Sequence, residues 1–312
     1  MKRALSGAIR IASIIFVVCA FLFTAYRPTE AGVSAEKGYY TEFDGIAVHY
    51  LDEGMKDAPA LVFVHGWACD VSFWRFQFDG LRDKYRVIAV DLPGFGQSGK
   101  PACRTYTLDL FAGAVHAAIE AAGAGNPVLI GHSMGYPVTT RFLERYPGAA
   151  RAIVNVDGAY FRPPSDPRTA AELKEMADFL EGLFGPERPQ FVRFFIESTF
   201  YGRTPEVLRT EIMEKMSSAD EYAANSSMKE FIKPGNWTER SYGVPALAIY
   251  SEHEYIPPDH EAYLRTVFPE LTYEEWAETG HFLMMEAPER FNAALEKFLE
   301  GLPKEKRGRV EL

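Results

Sequence analysis

The chain has 312 residues, with 33 lysines and arginines against 43 aspartates and glutamates, which gives a net charge of −10 at neutral pH. This acidity argues against a nucleic-acid partner, because such a partner requires a basic face. Hydrophobic residues make up 47% and charged residues 24% of the chain, so a disordered or fibrous protein is excluded. The length suffices for one large α/β domain or for two smaller ones.

The N-terminal segment has the pattern of an export signal. Basic residues precede an uncharged and mostly apolar run at 11–25. This run is short for a spanning helix and typical of the apolar region of a signal peptide. We therefore predict that 1–35 is a signal peptide cleaved after Ala35, or an uncleaved membrane anchor. The protein would then be periplasmic or secreted, or associated with the membrane through 11–25. A buried N-terminal helix is the alternative.

Apolar runs alternate with helical patterns through the rest of the chain. Strands are predicted at 48–51, 60–64, 86–90, 127–130, 152–156, 245–250 and 271–276. Helices are predicted between them at 72–83, 108–122, 134–146, 260–267 and 288–302. This alternation indicates crossover connections and a mainly parallel sheet, and continuous apolar strands fit a sheet covered on both faces. The predicted fold class is therefore α/β.

One interval, 158–242, lacks any strand pattern. It is rich in phenylalanine, methionine, glutamate and proline, and we predict a helical cap inserted between a first core part at 36–157 and a second at 243–303, followed by a polar tail at 304–312. A cap over the sheet is expected to line an apolar acyl or alcohol pocket with some of its large side chains. The candidates are Phe179, Leu183, Phe184, Phe191, Phe194, Phe195, Phe200 and Tyr201.

The strongest motif is Gly-His-Ser-Met-Gly at 131–135, which follows an apolar strand and precedes a helical pattern. This context is what a G-x-S-x-G turn requires, with the serine hydroxyl raised above the sheet. We therefore predict Ser133 as a nucleophile. The turn also leaves the N–H of Met134 free at the start of a helix, where it can stabilise an oxyanion.

A serine nucleophile needs a general base. The chain has seven histidines, and only His281 lies in a turn-like segment after the last predicted strand and before the final helix. This position agrees with the chain order serine, acid, histidine. We predict His281 as the base.

The base in turn needs a carboxylate that fixes its tautomer. Glu254, in the segment after the predicted strand 245–250, is the preferred candidate. Asp157, directly after the predicted strand 152–156, is the alternative, and Glu252 and Asp259 also remain open.

The second oxyanion donor is expected from the turn after the predicted strand 60–64. Gly66 allows the backbone to turn there, and the N–H of Trp67 is then placed to face the site. We expect His65 to be structural, not a second base.

Four motifs together resemble the α/β-hydrolase superfamily: Phe-Val-His-Gly-Trp at 63–67, Asp-Leu-Pro-Gly-Phe-Gly-Gln-Ser at 91–98, the motif at 131–135, and Gly-His at 280–281. The resemblance covers about 40–302. Within the superfamily, His-Gly-Trp at 65–67 together with the motif at 131–135 is similar to the motifs of small arylesterases and cofactor-free perhydrolases. The resemblance implies the α/β-hydrolase fold, with Ser133 as the nucleophile, His281 as the base and the N–H groups of Trp67 and Met134 as the oxyanion donors. The chemistry predicted from these residues requires no cofactor or metal.

The family commonly has Gly-x-x-Asp after the seventh strand. Ser251 and Glu254 stand in those places here, so this chain departs from the pattern at the acid.

Residues 94–99 match G-x-G-x-x-G and most of a phosphate-binding G-x-x-x-x-G-K. No helix opens there, and Pro101 replaces the hydroxyl residue that the second motif needs. We predict a tight loop at the edge of the sheet and no nucleotide.

Outside the predicted leader the chain has two cysteines, Cys69 and Cys103. Two cysteines pair readily in an oxidising compartment, and buried free thiols are the alternative.

These residues predict a serine hydrolase that cleaves small apolar carboxylic esters through an acyl-enzyme. The same residues also suit the hydrolysis of amides or prolyl peptides, lactones or carbon–carbon bonds, and perhydrolysis. Ser133 argues against epoxide hydrolase or haloalkane dehalogenase chemistry, where an aspartate occupies this position. A non-catalytic binding protein on a hydrolase scaffold is a further alternative. The sequence predicts neither the oligomeric state nor the physiological ester.

Overall fold

The structure, a computed structural model, describes most of the chain between Gly38 and Pro303. The described residues are 38–158, 162, 171, 174, 188–200, 204–237, 239–252 and 256–303. The predicted leader and the predicted polar tail lie outside them. Among the described residues, no helix combines the length and the apolar character needed to cross a membrane.

Eight strands of the described chain form a single sheet in the order β1-β2-β4-β3-β5-β6-β7-β8. The strands are β1 (Tyr39–Phe43), β2 (Ile46–Gly54), β3 (Ala60–Val64), β4 (Arg86–Val90), β5 (Val128–His132), β6 (Ala152–Val156), β7 (Ala246–Ser251) and β8 (Leu271–Trp276). Strands β3 to β8 run parallel to one another, whereas β2 pairs antiparallel with both β1 and β4. The predicted mainly parallel α/β sheet is confirmed.

Strand β1 is the one strand that the hydrophobic pattern does not predict. It is an edge strand with largely exposed or half-buried residues, so it lacks an apolar run. It pairs with β2 through a two-residue turn in which Asp44 and Gly45 both have positive φ, at 52° and 75°. An Asp-Gly pair between two extended segments is typical of a β-hairpin. This pair is the feature of the sequence from which β1 could have been predicted.

The described helices flank the sheet and also fill the interval between β6 and β7. They are α1 (Arg75–Leu81), α2 (Leu108–Ala122), α3 (Gly135–Arg145), α4 (Arg188–Ser198), α5 (Glu206–Ser217), α6 (Glu221–Phe231), α7 (His260–Val267), α8 (Leu283–Glu286) and α9 (Pro288–Gly301). Helices α4, α5 and α6 follow β6 and precede β7, and we call them the insertion helices. The boundaries of the predicted cap, 158 and 242, remain a prediction.

The core lies on both faces of the central strands. Every residue of β3, β4, β5 and β6 is buried, as expected for parallel strands covered by helices on both sides. Burial on both faces fixes these strands in register, and their carboxyl ends therefore meet at one well-defined edge.

The backbone is most crowded where β5 turns into α3. A Cβ atom on Gly135 would lie 2.3 Å from the carbonyl oxygen of Val64 in β3, and one on Gly131 would lie 2.5 Å from the carbonyl oxygen of Gly135. Both contacts are with backbone, which a side-chain rotation does not relieve. The two glycines therefore let β3, β5 and α3 approach each other at the edge of the sheet.

We expect Gly135→Ala to lower the free energy of unfolding by about 1–3 kcal/mol, the usual cost of overpacking. Urea unfolding followed by circular dichroism measures this change. Gly125→Ala is the matched control, because a Cβ at Gly125 has no neighbour within 4 Å. Equal stability of the two variants would contradict the assignment of a packing role to Gly135.

Candidate active site

Ser133 lies at the turn between β5 and α3 with a φ of 53°. A residue other than glycine in this region stores strain of about 1–3 kcal/mol, so the surrounding contacts must hold it. The Ser133 N–H donates to the carbonyl oxygen of Val156 at 3.1 Å, and the Ser133 carbonyl accepts from the N–H of Tyr136 at 3.1 Å. The strained turn is therefore fixed between β6 and α3, and Ser133 lies half-buried at the wall of a cavity.

His281 lies in the loop between β8 and α8 and lines the same cavity as Ser133. Three hydrogen bonds hold the backbone of this loop. The Gly280 N–H donates to Oε2 of Glu286 at 2.7 Å, and the His281 N–H donates to the carbonyl oxygen of Thr199 at 3.2 Å. The His281 carbonyl accepts from Nε2 of His132 at 2.9 Å. The structure thus brings the predicted nucleophile and the predicted base to one cavity.

His132, directly before Ser133, is a fully buried part of this arrangement. Burial holds its pKa well below the usual range, and the neighbouring imidazole of His281 acts in the same direction. The ring is therefore neutral at pH 7. Because Nε2 of His132 faces a carbonyl oxygen, its proton lies on Nε2. The sequence reasoning assigned no role to this residue, which connects the Ser133 turn to the His281 loop.

Asp157 is the carboxylate that contacts His281. Its Oδ2 lies 2.7 Å from Nδ1 of His281, and its side chain is 3% exposed against 20% for the histidine. The other oxygen, Oδ1, accepts from the N–H of Ser251 at 2.8 Å and from its hydroxyl at 3.0 Å. Both carboxylate oxygens are therefore engaged, and only Oδ2 faces the imidazole.

The preferred candidate from the sequence, Glu254, lies outside the described residues. The Nδ1 atom that it was expected to bind is occupied by Asp157, the alternative candidate. Of the other two carboxylates, Glu252 is exposed, and Asp259 forms a two-point ion pair with Arg162 at 2.8 and 3.0 Å. A clue to Asp157 was its position directly after a buried strand that neighbours β5.

The turn after β3 passes close to Ser133. A Cβ on Gly66 would lie 3.0 Å from Cβ of Ser133, so a glycine is needed for the backbone to pass there. The next N–H, on Trp67, and the N–H of Met134 donate to no acceptor in the part of the chain that the structure describes. Two unengaged N–H groups therefore flank the serine, at the two residues that the sequence predicted.

His65 has the structural role that was expected of it. Its Nδ1 donates to the carbonyl oxygen of Gly66 at 2.8 Å, and its Nε2 accepts from the N–H of Leu92 at 3.0 Å. Burial lowers its pKa, which keeps the ring neutral. The imidazole thereby fixes the turn that carries Trp67.

The cavity beside Ser133 is bordered mainly by apolar side chains, and no lysine, arginine, aspartate or glutamate is among its described lining residues. The large apolar members are Trp67, Met134, Phe195, Met216, Met228, Phe231 and Phe282. An uncharged molecule therefore fits it best.

Three of the predicted cap side chains, Phe194, Phe195 and Phe200, are among the described ones, and of these Phe195 lines the cavity. Phe194 is 64% exposed, and Phe200 packs with Phe282 at 6.2 Å between ring centres. The remaining predicted side chains, Phe179, Leu183, Phe184, Phe191 and Tyr201, lie outside the described ones.

The loop at 94–99 closes around a carboxylate of the chain itself. Asp91 accepts from the N–H of Gln97 and of Val71, each at 2.8 Å, and its Oδ2 lies 2.7 Å from Nδ1 of His49. A Cβ on Gly96 would collide with the same carboxylate at 2.1 Å. The glycines therefore serve a tight loop, as predicted.

Cys69 is buried, Cys103 is exposed, and both are free thiols. The pairing that the sequence left open is thus not formed. Among the described residues, no group of three or more histidine, cysteine or carboxylate side chains is arranged to hold a metal ion.

Comparison with known proteins shows a match to the model of the α/β-hydrolase fold family over residues 59–288. A dihydrolipoyllysine-residue acetyltransferase component of an acetoin cleaving system from Cupriavidus necator is 28% identical, over 84% of this chain and 69% of that protein. A bifunctional esterase/perhydrolase from Acinetobacter calcoaceticus is 32% identical, but the match covers only 53% of this chain and 60% of that protein.

Among solved structures, a thermophilic esterase from Thermogutta terrifontis has a TM-score of 0.73 and 24% identity, covering 85% of this chain and 98% of the other. At this identity the likeness concerns the fold alone.

The contact between Asp157 and His281 predicts that Asp157, and not Glu254, is the carboxylate that orients the histidine. We expect Asp157→Asn to lower the rate of Ser133 labelling by a fluorophosphonate probe by roughly 10⁴-fold, because an amide imposes the wrong tautomer on the histidine. Mass spectrometry of the labelled peptide measures this rate. Glu254→Gln is the control and should label at the parent rate. Loss of labelling in Glu254→Gln with retention in Asp157→Asn would reverse the assignment.

Proposed function

From the premise that the chain belongs to the α/β-hydrolase fold family, as the match over residues 59–288 shows, we propose that it is a serine hydrolase that cleaves carboxylic esters. The observation that carries this proposal is the 2.7 Å contact between Oδ2 of Asp157 and Nδ1 of His281, a histidine that lines the same cavity as Ser133. A carboxylate at Nδ1 leaves Nε2 of the histidine as the acceptor for a serine proton.

The proposed reaction begins when Nε2 of His281 removes the hydroxyl proton of Ser133 as its Oγ attacks the ester carbonyl. Charge then develops on the carbonyl oxygen, and the N–H groups of Trp67 and Met134 are its proposed donors. His281 returns the proton to the leaving alcohol, and an acyl-enzyme remains.

In the second half of the reaction, His281 takes a proton from water, which attacks the acyl carbonyl. The bond from the acyl carbon to Oγ then breaks, and the proton passes to Ser133. Asp157 stabilises the imidazolium that forms in each half of the reaction. The residues named here and water suffice for every step.

The apolar lining supports an uncharged ester as the substrate, since a charged group would lose its hydration without gaining an ionic partner. Perhydrolysis is a second candidate, because one relative is named an esterase/perhydrolase. It uses the same acyl-enzyme with hydrogen peroxide in place of water, so peracid formation from acetate esters and peroxide distinguishes it.

We expect Ser133→Ala to lose roughly a millionfold in turnover of aryl esters, because the nucleophile and the base act as a unit. Initial rates on a panel of aryl esters, alkyl esters, lactones and proline amides measure this loss, and circular dichroism checks that the variant is folded. A folded Ser133→Ala that is as active as the parent would contradict the mechanism.

The same panel tests the substrate class. If the parent cleaves proline amides or lactones faster than every ester, the ester assignment is wrong while the role of Ser133 stands. If the parent neither turns over any member of the panel nor reacts with a fluorophosphonate probe, the protein is a non-catalytic binding protein.

A further inference from the structure

We infer that the site accepts only short, uncharged acyl groups, and that Met216 of α5 and Met228 of α6 set the limit on their length. This inference rests on the proposed ester hydrolysis and assigns the acyl side of that substrate. Both methionines are 5% exposed and line the cavity beside Ser133.

The size of the cavity gives the limit. The cavity has a volume of about 70 Å³, counted as the space that the centre of a water molecule can occupy. Since one water-sized atom requires roughly 10–15 Å³ of such space, the cavity holds roughly five to seven non-hydrogen atoms. An ester group takes three of these, which leaves roughly two to four further carbons. The acyl group that fits therefore has at most about five carbons, including the carbonyl carbon.

The position of His281 determines whether the acyl chain or the alcohol group of the ester contacts Met216 and Met228. The base must deliver its proton to the leaving alcohol, so the alcohol departs on the side of His281, where the carbonyl of Thr199, just after α4, holds the loop. The acyl chain then extends away from the base.

Helices α5 and α6 border the cavity beside the oxyanion donor Trp67. The indole Nε1 of Trp67 donates to the carbonyl oxygen of Ala224 in α6 at 2.8 Å, which fixes α6 beside the oxyanion donor. Met228 and Phe231 lie further along the same helix, and Met216 comes from α5. The acyl chain therefore ends against these side chains.

Methionines suit such a wall because they are long, unbranched and apolar. Truncation to alanine removes three side-chain atoms from the end of the cavity and opens space for about as many carbons. The change concerns only the length of the substrate, since neither methionine belongs to the serine, histidine and aspartate group.

The test compares butanoate and octanoate esters of one phenol in the parent, Met216→Ala and Met228→Ala. A single methylene in a tight apolar pocket changes kcat/KM by roughly 10–200-fold. We therefore expect the parent to prefer butanoate by at least tenfold, and each variant to raise the octanoate-to-butanoate ratio of kcat/KM by at least tenfold.

Met213→Ala is the matched control, because Met213 lies on α5 one turn before Met216 but lines a separate groove with Arg193 and Ser217. Its ratio should equal that of the parent. Met228→Val, which retains more volume, replaces Met228→Ala if that variant does not fold, and it should shift the ratio in the same direction.

Three outcomes would overturn the inference. The first is a parent that hydrolyses octanoate as well as butanoate. The second is an unchanged ratio in both methionine variants. The third is a shift that appears only when the alcohol is lengthened at constant acyl group, which would place the methionines on the alcohol side. A parent that hydrolyses no ester at all would instead refute the proposed function, so the two failures are distinguishable.

Discussion

The hydrogen bond between Asp157 and His281 is the contact on which the site depends, and it spans three strands of the sheet. Asp157 follows β6, His281 follows β8, and Ser251 at the end of β7 lies between them and binds the second carboxylate oxygen. Such a bond forms only because parallel strands end at one edge and because every residue of β6 and β7 is buried, which fixes their register. The geometry of the candidate triad is thus a consequence of how the sheet is built.

His281, the proposed base, is held as firmly by its backbone as by its side chain. The peptide groups around His281 bind Glu286, Thr199 and His132, which belong to α8, the segment just after α4, and the end of β5. A loop held by three separate elements loses little freedom when substrate binds, and such preorganisation is what a catalytic arrangement needs. His132 helps to position both residues, because it directly precedes Ser133 in the chain and its Nε2 donates a hydrogen bond to the carbonyl oxygen of His281.

The fold and two members of the site could be predicted from the sequence because their signals are local. Apolar runs mark the buried strands, and the motif at 131–135 carries the strand-to-helix turn within five residues. Edge strand β1 was missed because exposed strands carry no apolar run. The acid was harder to choose because β6 and β7 are neighbours, and a carboxylate after either one can reach the same imidazole. That choice depends on side-chain direction, which no sequence pattern encodes.

The residues that line the cavity show a second limit on what can be predicted from the sequence. Aromatic side chains of the inserted segment were predicted to line the pocket, and Phe195 does line it, but Met216 and Met228, which line it as well, were not predicted. Which side of a helix faces a ligand depends on how several helices pack together, and the hydrophobic pattern of α5 is weak, with only Ile212 and Met216 buried. Long-range contacts of this kind follow from tertiary structure alone.

The hydrogen bond from the His281 N–H to the carbonyl oxygen of Thr199 joins the base to the segment that follows α4. Any displacement of this segment away from the sheet, for example to admit a substrate, breaks one of the three bonds that orient the imidazole. By linkage, a molecule that fills the cavity and holds α4 in place also favours the aligned base. Occupancy of the cavity and alignment of His281, the proposed base, are therefore coupled equilibria.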